Sequence, residues 1–402
     1  MNNKNALLIV VAIVAIVSLF VMPRILNRPA AASYPPRLQE QALAPMVSYV
    51  ESHYRTPEDY LVSEFAAHDI VFVGEFYKIS QNVNLIRDVI PLLYKAGVRN
   101  LGIEYALYDD QARIDALLTA PAFNEAEAQA ITFHWVVTWG YKEYIDLFRA
   151  AWQLNSTLPK GAPRFRIVGL SVRQNWESVK TQNDLTNAEV VRQIVSAGVP
   201  DAYIAQTIMK EFVDKGEKAL VYIGQVHAFT AYRDLAYAKN AAAQGFSETR
   251  RAGNIIYDRI GARAATVLLH CPWPDSGSRS QLSYPVGGDL DALMLALPTD
   301  KRSVGFDTKG SPMGELKVTS TPFSTDHPNL TLSGMCDGYI LQGPISELKA
   351  VTPIPDFINA ANDAEAAKNF PGPKPPQTDP ASLNQIIAQD TAQVDTWLQL
   401  FK

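Results

Sequence analysis

The chain has 402 residues, enough for one large domain or two ordinary ones, and its 47% hydrophobic content supplies a sizeable core. Its 36 Lys and Arg against 41 Asp and Glu leave a formal charge of −5, and the first 32 residues hold three bases and no acid, so the remainder is more acidic still. That balance gives no support to nucleic-acid binding, which draws on clustered Lys and Arg to neutralise phosphates; it suits a small-molecule ligand that is neutral, amphiphilic or cationic.

Residues 6–22, ALLIVVAIVAIVSLFVM, form an uncharged apolar run. As a helix it would reach about 25 Å, close to the lower limit for a bilayer core. The expectation is a single N-terminal transmembrane helix, a signal anchor over residues 1–26, that holds the chain to a membrane. Ala30-Ala31-Ala32 offers a small-residue cleavage pattern as the alternative, although Arg24 and Arg28 separate it from the apolar run. Basic residues flank both ends of the span, so its orientation signal is weak, and a periplasmic or extracellular domain is a hypothesis. Residues 27–37, rich in Pro and Ala, read as a tether.

From residue 38 to about 369 short apolar runs alternate with amphipathic stretches. The runs are Ile70-Val71-Phe72-Val73, Leu101-Gly102-Ile103, Phe165 to Leu170, Ala219 to Ile223, Thr266 to Leu269, and Gly338 to Leu341. Near-continuous hydrophobicity is expected of strands covered on both faces, so the fold class is α/β: a mostly parallel open sheet with helices on both faces. Between the runs, Asn82 to Ala96 has helical periodicity with a kink expected at Pro91 and a C-cap at Gly97. Tyr141 to Trp152 is a second periodic segment, and Thr186 with Glu189 reads as a capping box for a stretch that stops at Gly198. Asp275 to Pro328 weakens into Gly, Pro and Ser, as long loops over one end of the sheet would. Residues 370–380 read as a proline-rich linker. In residues 381–402 Leu383, Ile386, Ile387, Val394, Trp397, Leu398 and Phe401 share one helical face that either docks on the domain or binds a partner.

The chemistry-bearing residues follow the apolar runs. Glu75 comes after the first, Glu104 after the second, Ser171 and Arg173 after the third, His227 after the fourth and His270 after the fifth. In open parallel sheets the carboxyl ends of the strands form the ligand crevice, so these groups are expected to converge there. Taken singly, a carboxylate or a histidine in such a place is an ordinary turn or core residue; their recurrence is what suggests a site. Two carboxylates and an imidazole suit general acid and base work on water. The same set, Glu75, Glu104, His227 and His270, could instead hold a divalent metal. Cys271 and Cys336 match no metal-ligand spacing and are either a disulfide, if the domain is exported, or two unrelated buried thiols. The chain lacks HExxH, GxSxG, GxGxxG and P-loop motifs, so zincin, α/β-hydrolase, dinucleotide and kinase readings are unsupported.

At these residues the sequence resembles the erythromycin esterase-like and ChaN-like superfamily, which takes in Tiki and TraB-type proteins. The resemblance is carried by Asp69-Ile-Val-Phe-Val-Gly-Glu75, by Gly97-Val-Arg-Asn-Leu-Gly-Ile-Glu104, by Trp139-Gly-Tyr-Lys-Glu-Tyr144 with Arg166-Ile-Val-Gly-Leu-Ser171, and by Tyr222-Ile-Gly-Gln-Val-His227. It spans roughly residues 60–350. The resemblance implies an esterase-like hydrolase with catalytic Glu75, Glu104 and His227. Lys78 stands where the esterase-like pattern has a basic His, Arg87 where it has an Arg, and Arg87, Arg173 and His270 are candidates for holding substrate. A lysine serves as a base only when burial or cationic neighbours lower its pKa; otherwise it is the cation of a salt bridge. ChaN-like relatives imply the alternative of a haem- or metal-binding envelope protein without catalysis.

Overall fold

The computed structural model describes residues 40–276 and 282–401. The expected anchor at 6–22 and the tether at 27–37 lie outside the described residues. Among the described residues no helix is long and apolar enough to cross a membrane.

The chain begins with α1 (Glu40–His53) and α2 (Pro57–Glu64), which lead into β1 (Ile70–Glu75). There follow α3 (Ser80–Lys95), β2 (Asn100–Leu107), α4 (Gln111–Thr119), α5 (Glu125–Trp135), α6 (Lys142–Thr157) and β3 (Arg166–Ser171). Next come α7 (Ala188–Ile194), α8 (Pro200–Glu211), β4 (Ala219–Gly224), α9 (Leu235–Ala243), α10 (Ala252–Ile260) and β5 (Ala264–Leu269). Beyond a small antiparallel pair, β6 (Trp273–Pro274) and β7 (Leu282–Ser283), lie α11 (Asp289–Ala296), β8 (Val304–Asp307), α12 (Leu332–Met335), β9 (Gly338–Leu341), α13 (Asp363–Lys368) and α14 (Pro380–Leu398).

Seven strands form one sheet in the order β3-β2-β4-β1-β5-β9-β8, parallel throughout except for the antiparallel edge strand β8. Each apolar run of the sequence is one of its parallel strands. Side-chain alternation sorts them onto two faces. Val71, Val73, Leu101, Ile103, Leu220 and Tyr222 meet α3, α4, α5 and α6 in one core. Ile70, Phe72, Val168, Leu170, Val221 and Ile223 meet α8 and α10 in a second core on the other face. A third cluster, built from α1, α11, β9 and the last turns of α14, closes the β5–β9 side.

Several local expectations need correction. Helix α3 runs from Ser80 to Lys95 with Pro91 inside it, and Gly97 follows in a left-handed conformation, as expected of its C-cap. The cap of α7 is Asn187, whose side chain accepts from the Glu189 and Val190 amides, and the helix ends at Ile194 rather than at Gly198. The stretch expected to be loops holds α11 and the edge strand β8. At four residues, with Gly305 packed on the Tyr60 ring, β8 is too short to show a period. Cys271 and Cys336 are free, buried thiols, which removes the disulfide.

The C-terminal helix docks on the domain rather than standing free. Leu383 and Ile387 enter the first core; Val394, Trp397, Leu398 and Phe401 enter the third. Between those two patches Asp390 pairs with Lys78 at 3.0 Å, both nearly out of solvent, and the ammonium lies over the Trp139 and Tyr141 rings at 5.4 and 5.3 Å. Removing one partner of a buried pair strands the other charge, whereas an apolar pair of similar size avoids its desolvation cost. Asp390→Ala is therefore expected to lower unfolding free energy by about 3–5 kcal/mol, with Lys78→Met plus Asp390→Leu restoring most of it; urea unfolding midpoints measure both.

Candidate functional site

Strands β2, β4 and β1 are neighbours, so Glu104, Glu75 and the turn after β4 that carries His227 meet at the carboxyl edge of the sheet. Alternation then divides them. Glu75 continues the Val71, Val73 side and sits under α6, whereas Glu104, one step from Ile103, turns towards α8 and α10.

Glu75 is enclosed by phenols. Tyr105 and Tyr222 donate to Oε1 and Oε2, and Tyr144 donates to Oε1 at 3.1 Å. Tyr144 also receives the Lys78 backbone N–H at 3.0 Å, which ties the loop after β1 to α6. Burial raises the Glu75 pKa to about 8 even though the three phenols favour the anion, and the nearby Glu104 charge adds to the rise. At neutral pH Glu75 is thus largely a protonated acid.

Glu104 is gripped through one oxygen and left open at the other. Its Oε2 accepts from the Tyr77 hydroxyl at 2.8 Å and from the Gly224 amide at 2.9 Å. Tyr77 reaches it by lying directly over Gly224, where a Cβ would sit 2.0 Å from the phenolic oxygen. That close approach is why the fourth strand ends in glycine. Ser171, at the end of β3, donates to the Glu104 carbonyl at 2.7 Å and holds the strand end in place. Glu104 Oε1 faces His227 Nε2 at 3.8 Å, beyond hydrogen-bonding range, and neither atom has a hydrogen-bond partner among the described residues. His227 is held from behind: Nδ1 lies 2.7 Å from Asp201 Oδ1. Burial opposes charge on the imidazole, but Asp201 and Glu104 outweigh it, and the His227 pKa lies above its ordinary value.

The remaining candidates take other places. Lys78 pairs with Asp390 and not with Glu75 or Glu104, so it serves as the cation of a salt bridge, and its backbone is left-handed (φ 67°). Arg87 lies on the outer face of α3 beside Asp88 and Asn84, and Arg173 pairs with Glu365 at 2.8 Å and donates to the His134 carbonyl. Neither arginine contacts Glu75, Glu104 or His227. His270 Nδ1 is within hydrogen-bonding distance of the Tyr339 hydroxyl at 3.0 Å and its Nε2 stands 3.2 Å from Asp291 Oδ2, again apart from the other three. Among the described residues no three His, Cys, Asp or Glu side chains are grouped to hold a metal ion, so the expected four-residue metal set does not assemble. Asp201 was missed in the sequence because an acid in the first turn of a helix looks like an ordinary dipole partner.

No protein-family model and no curated relative matches the chain. Among solved structures, a succinoglycan biosynthesis protein has a TM-score of 0.50 at 10% identity, over 76% of this chain and 98% of its own. An erythromycin esterase in an open conformation matches with TM-score 0.42 at 12% identity, over 76% of this chain and 96% of its own. ChaN of Campylobacter jejuni, in complex with cofacial haem, matches with TM-score 0.34 at 13% identity, over 52% and 84%. The neighbours thus include both groups that the sequence motifs resemble, and the succinoglycan biosynthesis protein shares the fold of this chain.

The protonated state of Glu75 has a consequence for stability. Its folded pKa stands above the unfolded value, so the native state binds the extra proton between about pH 4.5 and 8. Stability from this group is full below that window and is lost as pH rises through it. Glu75→Gln, neutral at every pH, is expected to flatten this part of the profile, as read from urea midpoints measured from pH 4.5 to 8.5.

Proposed function

We propose that the chain is a hydrolase of ester or amide bonds in which Glu104 and His227 share the work on water. The observation that carries this reading is the facing pair: a carboxylate oxygen and an imidazole nitrogen, 3.8 Å apart, both buried and both without a hydrogen-bond partner among the described residues. Leaving buried polar atoms unpaired costs about 1–3 kcal/mol each, and one oxygen placed about 2.8 Å from each would satisfy both. Because the opposite ends of both groups are anchored, by Tyr77 and Gly224 on one side and Asp201 on the other, the pair is aimed before substrate arrives.

The step balances with these groups alone. The Glu104 carboxylate takes a proton from water as its oxygen bonds to the carbonyl carbon; His227, as imidazolium, gives its Nε2 proton to the departing oxygen or nitrogen as the acyl bond breaks. Proton return from Glu104 to His227 resets both. Neutral Glu75 presents no second negative charge against the developing oxyanion. The facing atoms are buried in this conformation, so substrate entry requires side chains at the strand ends to move aside, and the closed state keeps the chemistry dry.

A haem site fits these residues poorly. Tyr77, Tyr105, Tyr144 and Tyr222 are each committed to Glu75 or Glu104, and His227 Nε2 stands 3.8 Å from a carboxylate oxygen, too close for a porphyrin to lie between them. A divalent cation would find two ligands there, Glu104 and His227, and the function is assigned without one. The apolar run at 6–22 supports a membrane tether, with the domain on the periplasmic or extracellular side.

Two outcomes test this. On a panel of nitrophenyl esters and anilides, Glu104→Gln and His227→Ala are expected to lose about 100-fold or more in turnover with circular dichroism unchanged; full activity in both variants refutes the assignment. On fractionation the full chain is expected to sediment with membranes and a chain of residues 33–402 to stay in the supernatant; equal behaviour of the two refutes the tether.

A further inference from the structure

Pro200 fixes the first turn of α8, and Asp201 follows at its second position. The Asp201 side chain turns away from its own helix and is received by the start of another. Oδ1 accepts the Ala252 amide, the first of α10, at 2.7 Å, and lies 2.7 Å from His227 Nδ1; Oδ2 takes Arg251 at 3.4 Å. Arg251 is itself held by Asp234 at 3.0 Å, with its guanidinium 3.5 Å from the centroid of the Tyr237 ring.

The same short segment grips the loop that carries the histidine. The Gly253 amide donates to the His227 carbonyl at 2.9 Å, and Asn254 Nδ2 lies within hydrogen-bonding distance of the Phe229, Thr230 and Tyr232 carbonyls. A Cβ on Gly253 would stand 2.5 Å from the Phe229 oxygen, so the approach needs glycine. Arg251-Ala252-Gly253-Asn254 is therefore a clamp with one end on the histidine's backbone and the other on the carboxylate behind its ring.

We infer that Asp201, held in the first turn of α10, is the positioning residue that keeps the His227 proton on Nδ1 and turns Nε2 towards Glu104. A neutral imidazole can carry its proton on either nitrogen, and a ring flip exchanges their places. A carboxylate fixed behind the ring removes that freedom, because it accepts an N–H and repels a bare nitrogen lone pair. Asp201 can do this only while ionised. Burial works against its charge, yet His227 and Arg251 hold its pKa down to about 2, and the N-terminus of α10 favours the anion as well. The charged groups around the ring are thus Asp201 and Glu104 as acids and Arg251 as base, with Asp234 beyond the guanidinium. The catalytic meaning of this placement rests on the hydrolase reading above; the placement of the proton does not.

The test reads the ring itself. In the full chain labelled with 15N-histidine, the His227 signals, assigned by their loss in His227→Gln, are expected to show Nδ1 protonated throughout a pH titration while Nε2 titrates. Asp201→Asn keeps an acceptor but removes the charge, and the His227 midpoint is expected to fall by about one pH unit or more. A neutral ring with its proton on Nε2, or a midpoint that Asp201→Asn leaves in place, overturns the inference; if that variant does not fold, the wild-type tautomer decides alone. Since the spectrum is independent of turnover, a protein that shows the Nδ1 proton yet cleaves no ester or anilide retains the positioning role and refutes the hydrolase reading.

Discussion

Taking Glu104, His227 and Asp201 out of water is the constraint around which the upper edge of the sheet is organised. Isolated charges at such depth are costly, so each must find partners, and each partner comes from a different element. Glu104 receives Tyr77 from the loop after β1 and the Gly224 amide from the end of β4. Asp201 receives the amide of Ala252 and the guanidinium of Arg251 at the start of α10. His227 lies between them, satisfied at one nitrogen and open at the other. Strand order, two close-approach glycines and a helix N-terminus all serve that one group of three.

Alternation along the strands gives the two strand-end glutamates opposite roles. Glu75 points to the face where three phenols enclose it and burial keeps it protonated near neutral pH. Glu104 points to the face that holds the imidazole and a strongly ionised aspartate. Titratable groups whose surroundings push their protonation apart are characteristic of acid and base chemistry, and here burial raises the Glu75 pKa on one face of the sheet while His227 and Arg251 hold that of Asp201 down on the other.

The cations follow a different logic. Lys78, in the place where the esterase-like pattern has a histidine, is drawn to Asp390 and seals α14 against the aromatic rings of Trp139 and Tyr141. A basic residue in that loop thus joins the C-terminal helix to the domain. Arg87 and Arg173 reach exposed acids instead, and pairs of that kind contribute little.

Much of the architecture was legible in the residues. Six apolar runs with acids or imidazoles beyond four of them specify a parallel sheet and point to its carboxyl edge, because strands covered on both faces must be hydrophobic along their length. The apolar face of α14 was visible in the spacing of Leu383, Ile387, Val394 and Trp397, though whether it docks was left to the fold. Edge strand β8 was not, since four residues with a packing glycine carry no period. Nor was the division of Glu75 from Glu104, or the alliance of Asp201 with His227. The sequence by itself determined which groups stand at the strand ends; only the tertiary structure decided which of them face one another, because that depends on strand order, side-chain parity and the angle at which α8 and α10 bring their first turns to the same histidine.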